Sequence, residues 1–353
     1  MKKQIHVSLN QNSYNITIQR NLINNIGAEV KKIHICKKIF IITDHNVSKI
    51  YMSQVTKNLQ TCGFAIESIS LNAGEQSKSL TILPSIYNAL AKFKLNRTDL
   101  IIVLGGGVIG DIGGFVASTF LRGINFIQIP TSLLAQVDSS VGGKVGVNLP
   151  YGKNLVGSFY QPIAVFIDPN VLNTLPNKFY IDGMAEIIKY GCIKDKNFFY
   201  FIKSKKNRYE IMEHIEDIIY TCCSIKKEII QNDLRDFGER MVLNFGHTLG
   251  HAIEKQYNYT TYTHGQAVSI GMYNETLISE QMGITKKGTA KEIKDILTDI
   301  GLPYQLNIQN KEEILEIISL DKKNINNALN IVLLKNIGTS FIFKTTSTFF
   351  ENI

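Results

Sequence analysis

Apolar and polar residues alternate along QIHVSLNQNSYNITIQR (4–20), on either side of an Asn- and Ser-rich centre. A period of two around turn residues predicts a β-hairpin. A helix is expected next, near Leu22–Val30. The apolar runs that follow are short and β-branched: KIFIITD (38–44), FAIESISLN (64–72), DLIIVLGGG (99–107), NFIQIP (125–130) and AVFIDP (164–169). Continuous runs of this length predict strands buried on both faces of a sheet. Helical patterns separate them, at about 46–60, from the GEQSKS segment to about Phe93, and from the glycines at 105–107 to about Phe120. Strands alternating with helices predict an α/β domain with a mostly parallel sheet. From about 170 the pattern changes. Residues 171–300 read as successive helices with polar connections, and strand-like runs return only at NIVLLK (330–335) and SFIFK (340–344). The expected organisation is an α/β domain over 1–170 and a mainly α-helical domain over 171–353.

Composition narrows the function classes. No run of about 18 apolar residues exists, so no segment is expected to span a membrane. The start, MKKQIHVSLNQN, has lysines without an apolar stretch behind them, unlike a secretory signal. The cysteines, Cys36, Cys62, Cys192, Cys222 and Cys223, are odd in number and lack a CxxC spacing. A reducing cytoplasm fits this better than a disulfide framework. The net charge of +8 comes from scattered pairs such as Lys31–Lys32 and Lys286–Lys287. That pattern favours a small anionic substrate over nucleic acid.

Two glycine-rich stretches carry candidate chemistry. Gly105-Gly106-Gly107-Val108-Ile109-Gly110 fits GxGxxG between a predicted strand and a predicted helix, where backbone N–H groups can approach a pyrophosphate. A dinucleotide fingerprint usually has an acid at the end of the next strand. Here NFIQIP ends in Pro130-Thr131-Ser132, and the nearest suitable acid, Asp44, ends an earlier strand. The second stretch, Asp138–Gly157, places Lys144 and Lys153 among glycines. It reads either as a backbone nest for an anion or as a surface loop.

The densest polar pattern is Arg240–His264, RMVLNFGHTLGHAIEKQYNYTTYTH. Read as one helix, it puts Arg240, Asn244, His247 and His251 on one stripe. Gly246 and Gly250 each cost a helix about 1 kcal/mol against alanine, which calls for close approach of a ligand or a neighbouring backbone. His247 and His251 have the four-residue spacing of a shared metal, without the Glu of HExxH. His264 follows a Tyr- and Thr-rich loop, and Glu186 lies in MAEIIKYG with Lys189 three residues on. One carboxylate and two of the three histidines fit a catalytic Zn²⁺ with an open position. Taken separately, the Glu186–Lys189 pair reads as a solvated ion pair.

The motifs GGGVIGDIGGF, FLRG, IPTSLLAQVDSSVGGKVGVN, GKNLVGSFYQP, AEIIKYG, LNFGHTLGHAIE, HGQAVSIGM and DKKN, in this order and spacing, resemble the 3-dehydroquinate synthases. The resemblance implies a dinucleotide-binding α/β domain and a helical domain with the site in the cleft between, NAD, a divalent metal (Zn²⁺ or Co²⁺), and a homodimer. It implies the conversion of 3-deoxy-D-arabino-heptulosonate 7-phosphate to 3-dehydroquinate and phosphate. The steps would be transient oxidation at C5, phosphate elimination, re-reduction and aldol closure. By position, Glu186, His247 and His264 match metal ligands. Asp44, Asn46, Glu75, Lys78, Gly106, Gly107, Asp111, Thr131, Ser132 and Lys153 match cofactor contacts, joined by the segment around Thr174. Asp138, Lys144, Asn154, Lys189, Lys226, Arg240, Asn244 and Lys322 match substrate contacts. Arg122 matches an arginine reaching the neighbouring subunit's site, and His251 a histidine of the proton relay.

Two departures stand out. The family's acid-rich DExExGxR is here Asp233-Leu234-Arg235-Asp236-Phe237-Gly238-Glu239-Arg240, so Asp236 stands where a glutamate proton acceptor is expected. DKKN is followed by INNALN, without the usual glycine. Three other readings remain open. A sister sugar-phosphate cyclase would yield a different carbocycle. A metal-dependent polyol dehydrogenase would yield net NADH. A non-catalytic binding protein would yield neither.

Overall fold

A computed structural model describes residues 2–234, 238–306, 311–319 and 329–352. Asp236 and Lys322, both expected at the site, lie outside the described residues. No helix among the described residues is long and apolar enough to cross a membrane. The chain forms two compact units, Met1–Pro176 with Glu216–Gln231, and Asn177–Ile215 with Asn232–Ile353.

The first unit is built on a seven-stranded sheet. Its strands are β1 (Lys3–Val7), β2 (Tyr14–Ile18), β3 (Lys38–Asp44), β4 (Ala65–Leu71), β5 (Leu100–Gly105), β6 (Phe126–Pro130) and, after a separate hairpin of β7 (Lys144–Leu149) and β8 (Gly152–Phe159), β9 (Ala164–Ile167). The order is β1-β2-β9-β6-β5-β3-β4. Only the β1–β2 pair is antiparallel within it. Alternate residues of the central strands feed opposite faces. Phe40, Ile42, Ile101 and Val103 join Ile86, Ile112 and Val116 in one core. Ile39, Ile41, Ile102 and Leu104 join Ile26, Val55 and Leu59 in the other. Burial on both sides is why these strands lack polar alternation. Edge strand β4, by contrast, leaves Glu67 and Ser68 exposed, which discourages edge-to-edge pairing.

The Asp138–Gly157 stretch corrects the sequence reading of a surface loop. From Lys144 it is the antiparallel β7–β8 hairpin, with Val147 opposite Val156. Val145 and Val147 are buried in the sheet's core, with Gly146 between them packed against the backbone of β8.

The helix Ile215–Asn232 differs from the two-part division at 170. Residues 216–231 belong to the first unit. Arg20 Nε pairs with Glu216 at 2.9 Å, and Cys223 Sγ donates to the Gln136 carbonyl at 3.3 Å. Lys226 Nζ reaches the Asp138 carboxylate at 2.9 Å and its carbonyl at 2.8 Å.

The second unit contains the helices Asn177–Ile193, His247–Gln256, His264–Gln281 and Thr289–Ile300, with the β10–β11 ribbon (Leu329–Asn336 and Thr339–Thr345). Leu249, Ile253, Ile270, Ile278, Ile331, Leu333 and Phe350 form its core.

Candidate functional site

In the first unit, β3 and β5 are neighbours, with Thr43 opposite Leu104. Asp44 and Gly105 therefore end adjacent strands. The chain turns outward to β4 on one side and to β6 on the other, which makes this the topological switch point, where open α/β sheets bind ligands. The unusual position of the acid is thus explained. Asp44 precedes the glycine loop in sequence but lies beside it in the sheet. Its Oδ1 accepts the Asn46 and Val47 amides at 2.8 and 3.1 Å.

Gly106 precedes the helix Gly107–Thr119, and no side chain caps that N-terminus. A Cβ on Gly113 would lie 2.6 Å from Val103, and one on Gly114 2.4 Å from Val145. The two glycines let the helix lie close against β5 and β7 and direct its amides at the sheet's carboxyl end, a geometry suited to a pyrophosphate.

The other residues of the expected cofactor set lie in the same unit. The Thr131 amide donates to the Gly105 carbonyl at 3.0 Å. Ser132 Oγ accepts the Ala135 amide at 3.2 Å. Lys78 pairs with Asp111. Burial pushes the Asp111 carboxyl pKa up, and the Lys78 ammonium opposes the rise. Glu75 accepts from the Asn148 amide side chain at 2.7 Å, while the Asn148 backbone N–H donates to the Lys78 carbonyl at 2.8 Å. Thr174 is hydrogen-bonded to the Tyr51 hydroxyl. Lys144 and Asn154 are exposed on the hairpin, with Lys153 beside Asn154. Asn154 is left-handed (φ 55°), and so is the exposed Arg122 (φ 66°).

The second unit assembles the histidines. Residues 239–244 form a 3-10 turn, and the helix carrying the histidines begins at His247. Gly246 breaks the chain between them with φ 75°. The single stripe from Arg240 to His251 is therefore corrected. Arg240 and Asn244 sit on the turn, with Arg240 buried and its Nη1 donating to the Leu234 carbonyl at 2.7 Å. The break has a packing cause. A Cβ on Gly271 would lie 1.9 Å from the Gly246 carbonyl oxygen, and one on Gly250 3.2 Å from the Ala267 backbone. It is a neighbouring backbone that demands these glycines.

Two buried acids absent from the sequence reading fix this framework. Glu275, fully buried, accepts the Gly246 and Leu249 amides at 3.0 and 3.2 Å. Its oxygens thus meet the positive end of the His247 helix. Asp182 accepts the Gly265 amide at 2.6 Å and ties the helix beginning at His264 to the one carrying Glu186. An acid inside the apolar run AVSIGMYNETLIS was the available signal for Glu275.

The ligand atoms of Glu186, His247 and His264 all lie within 4.8 Å of one another. Glu186 Oε1 is 3.6 Å from His247 Nε2 and 3.5 Å from His264 Nε2. Donors about 2.0–2.1 Å from a tetrahedral ion stand roughly 3.3 Å apart, so the spacing fits a divalent cation. His247 Nδ1–H donates to the Phe245 carbonyl at 3.0 Å, which leaves the Nε2 lone pair facing Glu186. Burial, then Lys189 and the other two histidines, holds the His247 pKa well below its usual value, in the neutral form that binds metal. Glu186 also pairs with Lys189, and both side chains are almost wholly buried. The reading of a solvated Glu–Lys pair is thereby overturned. The His247–His251 pair suggested by spacing gives way to the Glu186, His247, His264 set. His251 is exposed beside it, its ring 5.3 Å from that of His247.

Burial disfavours the His264 imidazolium, but Glu186 and Glu254 outweigh it and raise its pKa to about 10 without metal. The folded, metal-free chain thus keeps a proton that the unfolded chain releases near 6.5. The stabilisation this gives is complete below pH 6.5 and is lost as pH rises through about 10. Urea denaturation of the metal-free wild type and of His264→Ala should therefore show a stability gap that narrows from pH 6.5 to 10. A constant gap would contradict this account.

Two family models together match most of the chain, 3-dehydroquinate synthase N-terminal over residues 68–182 and 3-dehydroquinate synthase C-terminal over 183–324. The 3-dehydroquinate synthase of Clostridium botulinum (strain Alaska E43 / Type E3) is 60% identical over 349 residues, covering 99% of this chain and 100% of its own. That of Enterococcus faecalis (strain ATCC 700802 / V583) is 43% identical over 339 residues, covering 96% and 95%. Among solved structures, 2-deoxy-scyllo-inosose synthase complexed with carbaglucose-6-phosphate, NAD⁺ and Co²⁺ is similar with a TM-score of 0.90 at 23% identity, covering 99% and 98%. The 2-epi-5-epi-valiolone synthase of Streptomyces hygroscopicus with NAD⁺ and Zn²⁺ bound gives 0.88 at 23%, covering 98% and 96%. These two establish the fold, and the full-length matches establish more: this chain is an enzyme of the 3-dehydroquinate synthase family.

Proposed function

We propose that the chain converts 3-deoxy-D-arabino-heptulosonate 7-phosphate to 3-dehydroquinate and phosphate, as a carbon–oxygen lyase using NAD and one divalent cation, Zn²⁺ or Co²⁺. The observation that carries this reading is the Glu186, His247, His264 donor set, in a chain matched over its length by the family. When bound, NAD⁺ takes up and returns a hydride, and the cation favours the alkoxide of the hydroxyl it holds.

The chain's own residues do the rest. Gly106 and Gly107 offer backbone amides to the pyrophosphate, with Thr131, Ser132 and Lys153 nearby in sequence or fold. Asp44, Asn46, Glu75, Lys78, Asp111 and Thr174 complete the nucleotide set. Lys144, Asn154, Lys189, Lys226 and Asn244 meet the substrate, and Arg240 grips its phosphate or carboxylate through two N–H groups. Asp138 fixes the Lys226 ammonium. His251, exposed beside the ligand set, carries protons. Arg122, presented from an exposed left-handed turn, serves the other subunit's site in a homodimer. The five cysteines form no disulfide, which is consistent with action in the cytoplasm.

The test is to supply purified protein with NAD⁺, Zn²⁺ or Co²⁺ and the heptulosonate phosphate. Stoichiometric phosphate and dehydroquinate without accumulated NADH support the proposal. Net NADH would indicate a dehydrogenase, another carbocycle a sister cyclase, and no turnover a binding protein.

A further inference from the structure

We propose that Glu254 is a positioning residue for the cation site, holding the His264 imidazole by the nitrogen that does not face Glu186. The inference rests on the metal-ligand reading above and goes one residue beyond it. His264 presents Nε2 to Glu186 Oε1 at 3.5 Å and Nδ1 to Glu254 Oε2 at 3.6 Å. The two carboxylates thus lie against opposite nitrogens of one ring. An imidazole that gives a lone pair to a cation through one nitrogen carries its proton on the other. In His264 that proton points toward a carboxylate which is itself only 3% exposed.

The two histidine ligands are therefore oriented differently. His247 gives its Nδ1 proton to the neutral Phe245 carbonyl, whereas His264 faces an anion. An anion behind the ring fixes its tautomer and rotation and makes the opposite nitrogen a stronger donor. Chain geometry explains why the contact is needed. Glu254 lies seven residues beyond His247 and three beyond His251 in the helix His247–Gln256, while His264 opens the next helix. The connection 257–263 contains Asn258 and Tyr259 in the left-handed region. Glu254 links the last turns of one helix to the ligand that begins the next. His251, Glu254 and His264 also bring one ligand atom each within 4.8 Å. Because Glu254 meets Nδ1 and Glu186 meets Nε2, Glu254 stands outside the donor set proposed for the cation.

The test measures cation affinity in Glu254→Ala and Glu254→Gln, by chelator competition with Zn²⁺ and Co²⁺, together with the visible absorption spectrum of the Co²⁺ forms. Glu254→Ala should bind about 10–100-fold more weakly, with a shifted Co²⁺ spectrum. Glu254→Gln, which keeps the shape and loses the charge, should fall between it and the wild type. In a His264→Ala background, Glu254→Ala should weaken binding no further, since its effect acts through that ring. A purely structural role would give the same loss in both backgrounds and would overturn the proposal. Wild-type affinity and an unchanged Co²⁺ spectrum in both Glu254 variants would overturn it too, while leaving the ligand reading intact. If the wild type binds no cation, or His264→Ala binds as tightly as the wild type, the ligand reading fails and the proposal with it. Should Glu254→Ala not fold, Glu254→Gln carries the same comparison.

Discussion

Glu186→Gln is expected to strip the cation from the protein and lower kcat/KM by at least about 10⁴-fold. The substitution keeps the side chain's volume and removes the anionic member of the Glu186, His247, His264 set. The scale follows from what a cation does to a hydroxyl. Bound zinc lowers the pKa of water from 15.7 to about 7, roughly 12 kcal/mol at 1.36 kcal/mol per unit. A general base contributes about 3–5 kcal/mol. Losing the cation should therefore cost far more than His251→Ala, which should keep its metal and fall by about 10²–10⁴-fold. Glu186→Gln has a second consequence, because Glu186 and Lys189 form an ion pair with 1% and 2% side-chain exposure. Breaking a buried pair from one side costs about 3–5 kcal/mol, which denaturation of the metal-free protein would show. Metal analysis after dialysis separates the two effects. A Glu186→Gln protein with one cation per chain and activity within tenfold of wild type would sink the ligand assignment.

Lys78→Met should weaken NAD⁺ binding about 10–100-fold, the range for a lost charge-assisted hydrogen bond. It should also destabilise the chain by about 3 kcal/mol at neutral pH. Lys78 is 5% exposed and faces Asp111, whose pKa burial raises and the ammonium lowers. Methionine matches the length without the charge, so Asp111 is left to take up a proton. The destabilisation should fade as pH drops below about 4, where the unfolded chain also protonates this carboxyl. Adding Asp111→Asn should restore stability at pH 7 without restoring NAD⁺ affinity. If the double variant is no more stable than Lys78→Met, the unpaired charge of Asp111 is not the cause.

Much of the first unit was legible because its central strands are buried on both faces. KIFIITD and DLIIVLGGG show that burial as continuous apolar runs, and no other local structure fits them as well. The β7–β8 hairpin was not, since its glycines and lysines mask an alternation that only its packing on the sheet makes regular. Nor could local pattern reveal that residues 216–231 return to the first unit, because Lys226 and Cys223 find partners more than eighty residues away. At the histidines, spacing suggested one pairing and the structure gathers another group of ligand atoms. A period of four made His247 and His251 partners, but the choice of His264 depends on Gly265 packing against Asp182 and on the break at Gly246. Glu254 continued the same stripe and could have been noticed. Glu275 and Asp182 act through backbone amides of other segments, which no side-chain motif records.

The most direct test of the central claim, that Glu186, His247 and His264 hold the catalytic cation, is phosphate release measured against the amount of Co²⁺ bound. Metal-free protein with saturating NAD⁺ and the heptulosonate phosphate would be titrated with Co²⁺. Phosphate release is predicted to be negligible without metal and to rise linearly until one Co²⁺ is bound per chain, with no NADH accumulating. Full phosphate release from protein holding less than about a tenth of an equivalent of metal would contradict the account.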